Sequence, residues 1–96
     1  MTDAPNTHTL HLLNKAPEHS RFARCLQSLQ PGDSLVLMEN AVLALANSGL
    51  SLPVPCYALQ ADVRARGLGT ENGRHTLIGY PELVQLTADN PRIISW

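Results

Sequence analysis

The sequence predicts an α/β domain: a mostly parallel sheet of four or five strands with helices on both faces. Two observations carry this. Strand-like and helix-like segments alternate along the 96 residues, the pattern of strand–helix–strand units closing into a parallel sheet. The run Leu35-Val36-Leu37-Met38 is apolar at every position, so it cannot be an alternating, half-wet strand and needs cover on both faces. A chain of this length with 44% hydrophobic residues can hide roughly two thirds of its unfolded surface. One domain over residues 1–96 is therefore expected, with residues 1–7 as a flexible lead.

The elements follow in order. His8 to Leu13 is a short Leu-rich run ended by the loop formers Asn14 and Pro17, which suits a first strand. Pro17 and Glu18 then suit a helix start, where the missing N–H of proline costs nothing and a carboxylate meets the positive end of the dipole. Phe22, Cys25, Leu26 and Leu29 recur at i, i+3, i+4, i+7 as one helical face. Pro31-Gly32-Asp33 turns the chain into the apolar run at 35–38. Ala41 to Ala46 reads as a helix closed by Asn47-Ser48-Gly49. It has no polar face, so it needs more than one neighbour, the second being another chain. Val54 to Leu59 is the third strand, with its prolines ahead of the ladder. Asp62 to Arg66 forms a short helix ended by Gly67, residues 69–73 a loop, and His75 to Gly79 a fourth strand. Pro81 opens a last helix over Glu82 to Thr87, and the tail from Arg92 to Trp96 is apolar enough to dock.

Composition excludes several functions. Seven Lys plus Arg against eight Asp plus Glu give a net charge of -1 with no run of either sign, so no clustered basic face exists for direct nucleic-acid binding. The longest apolar run, Ala41 to Ala46, is about a third of the roughly 20 residues a membrane helix requires. The opening residues are polar, unlike a signal peptide, and the two cysteines give no disulfide framework, so a cytoplasmic location is expected.

Candidate chemistry is sparse. His8 and His11, three apart on a strand, project to opposite faces and form no metal pair; no further ligand is spaced nearby. His19 and His75 read as solvated surface. The Gly-rich stretch 67–73 lacks a Lys-Ser/Thr ending and is a plain loop, not a phosphate cradle. No G-x-S-x-G, C-x-x-C or acid–base carboxylate pair is present. Cys56, inside a doubly covered strand, reads as an inert small hydrophobe. Cys25 falls on the shoulder of the apolar stripe of its helix, four residues after Arg21. A half-exposed thiol beside a cation favours thiolate, although Glu18 shares that shoulder. Two readings stay open: a boundary core residue and a sulfur-handling thiol.

From end to end the chain resembles the TusB/DsrH family, the smallest subunit type of the TusBCD and DsrEFH sulfurtransfer complexes. The resemblance rests on His8-Thr9-Leu10-His11, on Gly32-Asp33 leading into Leu35 to Asn40, on Tyr57 to Leu68, on Tyr80 to Thr87 and on Trp96. It implies a small three-layer DsrEFH-like domain assembled with paralogous TusC/DsrF-like and TusD/DsrE-like subunits, two copies of each, in which the principal persulfide cysteine belongs to the TusD/DsrE-type partner. It places Cys25 where the DsrH branch carries a first-helix cysteine, so Cys25 becomes a candidate accessory persulfide carrier. Ala41 departs from the family, which often has Gly there. The function implied is a relay subunit for 2-thiolation of the tRNA wobble uridine, not catalytic alone and calling for no cofactor or metal. Dissimilatory sulfur oxidation, or a purely structural subunit, are the alternatives.

Overall fold

The computed structural model describes residues 8–47, 51–68 and 75–96. It contains strands β1 (Thr9–Leu13), β2 (Ser34–Leu37), β3 (Cys56–Leu59), β4 (Thr76–Ile78) and β5 (Arg92–Ser95), and helices α1 (Ser20–Ser28), α2 (Gln60–Ala65) and α3 (Tyr80–Asp89). A 3-10 helix, Glu39–Ala46, joins β2 to β3. All five strands form one parallel sheet in the order β4-β3-β2-β1-β5. The first four step outward in one direction, so right-handed crossovers put their three connections on the same face. The last crossover runs back to the other side of β1, and that reversal puts α3 on the opposite face.

The two faces bury unequal cores. Alternation along each strand sends Leu13, Leu35, Leu37, Cys56 and Ala58 to the face covered by α1, the 3-10 helix and α2, where Phe22, Cys25, Val42 and Val63 meet them. Leu10, Val36, Leu59 and Ile78 point the other way, toward Leu83 and Leu86 of α3. That helix has no fully buried residue, and Tyr80 and Val84 on its outer side stay exposed. Every residue of β5, the edge strand, is exposed as well.

Several boundaries differ from the sequence reading, each for a local reason. α1 starts at Ser20, not at Pro17: His19 is its N-cap, its Nδ1 accepting the Arg21 N–H at 3.0 Å, a role usually filled by a short polar side chain. Residues 41–46 form a 3-10 helix and not an α-helix. Its three-residue turn aligns Ala41 with Ala44 and Val42 with Leu45 toward the core, leaving Leu43 and Ala46 outside. α3 starts two residues earlier than expected, where the Glu82 carboxylate accepts the Gly79 N–H at 2.8 Å as one half of a capping box. The docked tail is the fifth strand. The prolines precede β3 as expected, and the Pro55 carbonyl still accepts the Leu35 N–H at 3.0 Å. Gly32 turns with φ at +92°, a conformation that L side chains rarely adopt, and a Cβ there would also displace the exposed His8 ring, so chirality favours glycine. The expected lead at 1–7, the Ser48-Gly49 closure and the loop at 69–73 lie outside the described residues.

Candidate functional site

The two thiols are placed by opposite elements and meet the same fate. α1 lies on the sheet with Phe22 and Cys25 as its buried residues, so the inward stripe is turned further toward Cys25 than an evenly drawn wheel suggests. Leu26 and Leu29 are only partly buried. Cys25 is 0% exposed, and burial pushes its thiol up to about 12. The expected half-exposed shoulder beside Arg21 is therefore not what the fold builds: Arg21 is exposed while the sulfur faces the core. Cys56 on β3 is also buried and likewise pushed up to about 12 by burial. At neutral pH both are thiols, and thiolate is the form that attacks sulfur.

The polar structure of this face gathers instead around Asp33, just ahead of β2. Its Oδ1 accepts the Thr9 N–H at 3.0 Å, and its Oδ2 accepts the Gln30 N–H at 3.0 Å and lies 2.9 Å from His11 Nε2. Burial on its own raises this carboxyl, yet the bonds from His11, Gln30 and Thr9 outweigh it and hold Asp33 below its ordinary 3.8. His11, on β1, is 1% exposed, and its other ring nitrogen, Nδ1, accepts the Trp96 indole N–H at 3.1 Å. An indole nitrogen only donates, so Nδ1 is the acceptor and Nε2 carries the proton given to Asp33. The two rings lie 15° from parallel with centroids 6.2 Å apart, a separation that with the short N···N contact places them edge to edge. Trp96 is held twice more, its N–H bonding the Leu12 carbonyl at 2.8 Å and its carbonyl accepting Lys15 Nζ at 2.6 Å. Thr9, His11, Asp33, Arg92, Ile94 and Trp96 line a cleft of about 530 Å³ beside this network.

Sequence reasoning placed His11 as structural but missed the network. The available signal was a histidine inside a strand otherwise made for burial, which must find partners; the parallel register that sets His11 beside Leu35, two residues after Asp33, is a tertiary fact. No group of three or more His, Cys, Asp or Glu side chains placed to hold a metal ion occurs among the described residues. His19 serves as a cap. His75 is only partly exposed, and its Nε2 is buried without a hydrogen-bond partner among the described residues.

At the carboxyl ends of β2 and β3 a second polar cluster is locked in place. Asp62 accepts the Glu39 N–H at 2.8 Å, fixing Glu39 at φ 51°, and Arg66 bonds Asn40 Oδ1 at 3.0 and 3.3 Å. Arg66 also lies 3.6 Å from Asp62. The cluster ties α2 to the start of the 3-10 helix and pairs its own charges.

A five-stranded all-parallel sheet with three connections on one face and α3 on the other makes the described chain a small α/β domain. The DsrH-like protein family model matches residues 15–93, and the chain belongs to that family. TusB of Pectobacterium carotovorum strain PC1 is 39% identical over 91% of this chain and 99% of its own length; TusB of Escherichia coli K12 is 35% identical over the same shares. The solution structure of Tm0979 from Thermotoga maritima is similar with a TM-score of 0.67 and 30% identity, over 84% of this chain and 92% of that one. The crystal structure of Escherichia coli ychN superposes with a TM-score of 0.69 over 93% and 98% at 21% identity, a likeness of fold. Among the described residues no helix is long and apolar enough to cross a membrane.

Proposed function

We propose that this chain is a docking subunit of a cytoplasmic sulfur-relay complex that supports 2-thiolation of the tRNA wobble uridine. The observation that carries the reading is the contrast between its sulfurs and its surface. Both thiols are sealed in the core while Leu43, Tyr80, Val84, Ile93 and Ile94 stay exposed, so the chain presents apolar surface in place of a thiolate. Family membership and the TusB relatives supply the sulfur-relay context. Its partners are paralogous TusC/DsrF-like and TusD/DsrE-like chains in a heterohexamer, the last of them holding the principal persulfide. With a net charge of -1 the chain makes no direct grip on tRNA.

Cys25 enters this scheme as an accessory carrier only if assembly lifts α1 from the sheet. Its thiolate would then attack the outer sulfur of a donor persulfide, giving Cys25 persulfide and releasing the donor thiolate. The second reading, a purely structural subunit, is favoured by the burial of that sulfur. Deleting the gene and measuring 2-thiouridine in tRNA tests the function, with loss expected; unchanged 2-thiouridine defeats it, and a defect confined to growth on reduced sulfur moves the chain to sulfur oxidation. Complementation by Cys25→Ala separates the two roles, since full rescue makes the subunit structural, and lost rescue with the complex assembled at wild-type level makes Cys25 a carrier.

A further inference from the structure

The hydrogen-bond geometry points to a proton-sensitive latch in which His11 pins the Trp96 indole beside β1 while its imidazole is neutral and lets the indole go on protonation. The reasoning uses donors and acceptors alone. Trp96 Nε1 can only donate, and it meets His11 Nδ1 at 3.1 Å. A proton on Nδ1 would set two N–H groups against each other across that contact, so the docked arrangement admits the neutral ring only. The proton has a favourable alternative home. His11 Nε2 lies 2.9 Å from Asp33 Oδ2, and Asp33 is held below its ordinary 3.8, so it is a carboxylate across the range where histidines titrate. Imidazolium gains an ion pair with Asp33 as it loses the indole. The network thus has two self-consistent arrangements: neutral His11 with the Trp96 indole docked, and charged His11 paired with Asp33 with the indole undocked and the Trp96 backbone still held.

The surroundings of the ring are sparse in other charges. From the loop before β2 comes Asp33 and from β5 comes Arg92, on the same cleft. From the turn after β1 comes Lys15, occupied with the Trp96 carbonyl and Asn14. α1 contributes the neutral Ser28 to the cleft, and the nearby turn is neutral at Gln30. β5 is the element that leads into the latch. It pairs on one side only, with β1, and all four of its residues are exposed, while its ladder to β1 and the Trp96 N–H on the Leu12 carbonyl do not depend on the state of His11.

Trp96 is the single tryptophan of the chain, which makes the latch directly observable. Tryptophan emission and acrylamide quenching are followed from pH 8 to pH 5 alongside far-UV circular dichroism. A reversible red shift with increased quenching, fitting one proton and leaving the dichroism near its starting value, is expected. His11→Gln can still offer an oxygen to the indole and an N–H to Asp33, so its emission should stay at the pH 8 position throughout, whereas His8→Gln should retain the transition. Wild-type emission that does not move, or a His11→Gln transition equal to that of the wild type, overturns the proposal. If His11→Gln does not fold, two measurements decide. Long-range nitrogen–proton correlation of the wild type at pH 8 should find the proton of His11 on Nε2, and a proton on Nδ1 overturns the latch. In Trp96→Phe, which keeps a ring but has no N–H, the pH midpoint read from the His11 ring protons should lie higher than in the wild type, because the bond that requires a neutral Nδ1 is gone; an unmoved midpoint overturns it.

Discussion

Cys25 shows how a single residue's chemistry is set by the wall it faces. Its neighbour Arg21 is a cation that would lower a thiol's pKa if both shared solvent, but the helix is rotated so that the sulfur enters the core and the guanidinium leaves it. Desolvation then dominates and Cys25 rises to about 12, as does Cys56. In the isolated folded chain at pH 7.5, limiting alkylating reagent should therefore leave both cysteines unmodified and label both after denaturation. Rapid labelling of Cys25 under native conditions would show that α1 opens readily. Asp33 is the opposite case, a buried carboxylate made comfortable by three donors. Asp33→Ala strands two backbone N–H groups and His11 together, and should cost roughly 3–5 kcal/mol in chemical denaturation. The pH dependence follows from the direction of the shift. A depressed carboxyl contributes stability that is complete above its ordinary value of 3.8 and lost as pH falls through its lower native value. Acid unfolding of the wild type should thus steepen below about pH 4, and Asp33→Asn should remove that component.

The 3-10 helix decides what the apolar stretch at 41–46 can do. A three-residue repeat sorts its six side chains into two inward rows and one outward row, so Leu43 and Ala46 form a narrow exposed ridge in place of a cylinder apolar all round. Leu43→Ser should change the stability of the isolated chain by less than about 0.5 kcal/mol, as surface substitutions generally do. It should weaken co-purification with the paralogous subunits if that ridge is a contact. The turn at Gly32 has no such tolerance. Gly32→Ala meets both a φ of +92° and the His8 ring, and should destabilise by about 1–3 kcal/mol, measured as a shift in denaturation midpoint at constant slope. An unchanged midpoint would mean that the His8 ring moves aside and that the turn relaxes out of its left-handed conformation at no cost.

At the scale of the molecule, the two faces of the sheet are unequally finished. Three connections cover one face, while among the described residues the other has α3, with Tyr80 and Val84 one turn apart and exposed, and the edge strand β5 adds Ile93 to that face and Ile94 to the first. Tyr80 and Val84 on α3, with Ile93 on the same face of the sheet, are the exposed apolar side chains that the proposed subunit reading assigns to a partner. The isolated chain should self-associate or be poorly behaved, and with its paralogues it should elute as one larger species. Val84→Glu should reduce that assembly while leaving the far-UV spectrum unchanged. A chain that stays monomeric both alone and with the paralogues would remove the subunit reading.

How much of this was legible beforehand divides along the range of the interactions. Hydrophobic periodicity and turn chemistry are local, and they located five of the strand and helix segments closely, the doubly covered β2 among them, because a side chain's inside or outside preference is written in its own identity. The family resemblance was legible for the same reason, as an ordered series of local pieces from His8 to Trp96. Three matters were settled only by tertiary structure. Whether 41–46 would wind with three residues per turn or with 3.6 depended on which rows the sheet below could accept. The rotation of α1 that buried Cys25 depended on how closely the helix backbone approaches β1 and β2, which a wheel drawn for an isolated helix cannot contain. The joining of His11, Asp33 and Trp96 spans residues far apart in sequence, brought together by a parallel register and a chain reversal around β1; hydrogen-bond complementarity is directional and acts over about 3 Å, so it exists only once the fold has set those atoms in place.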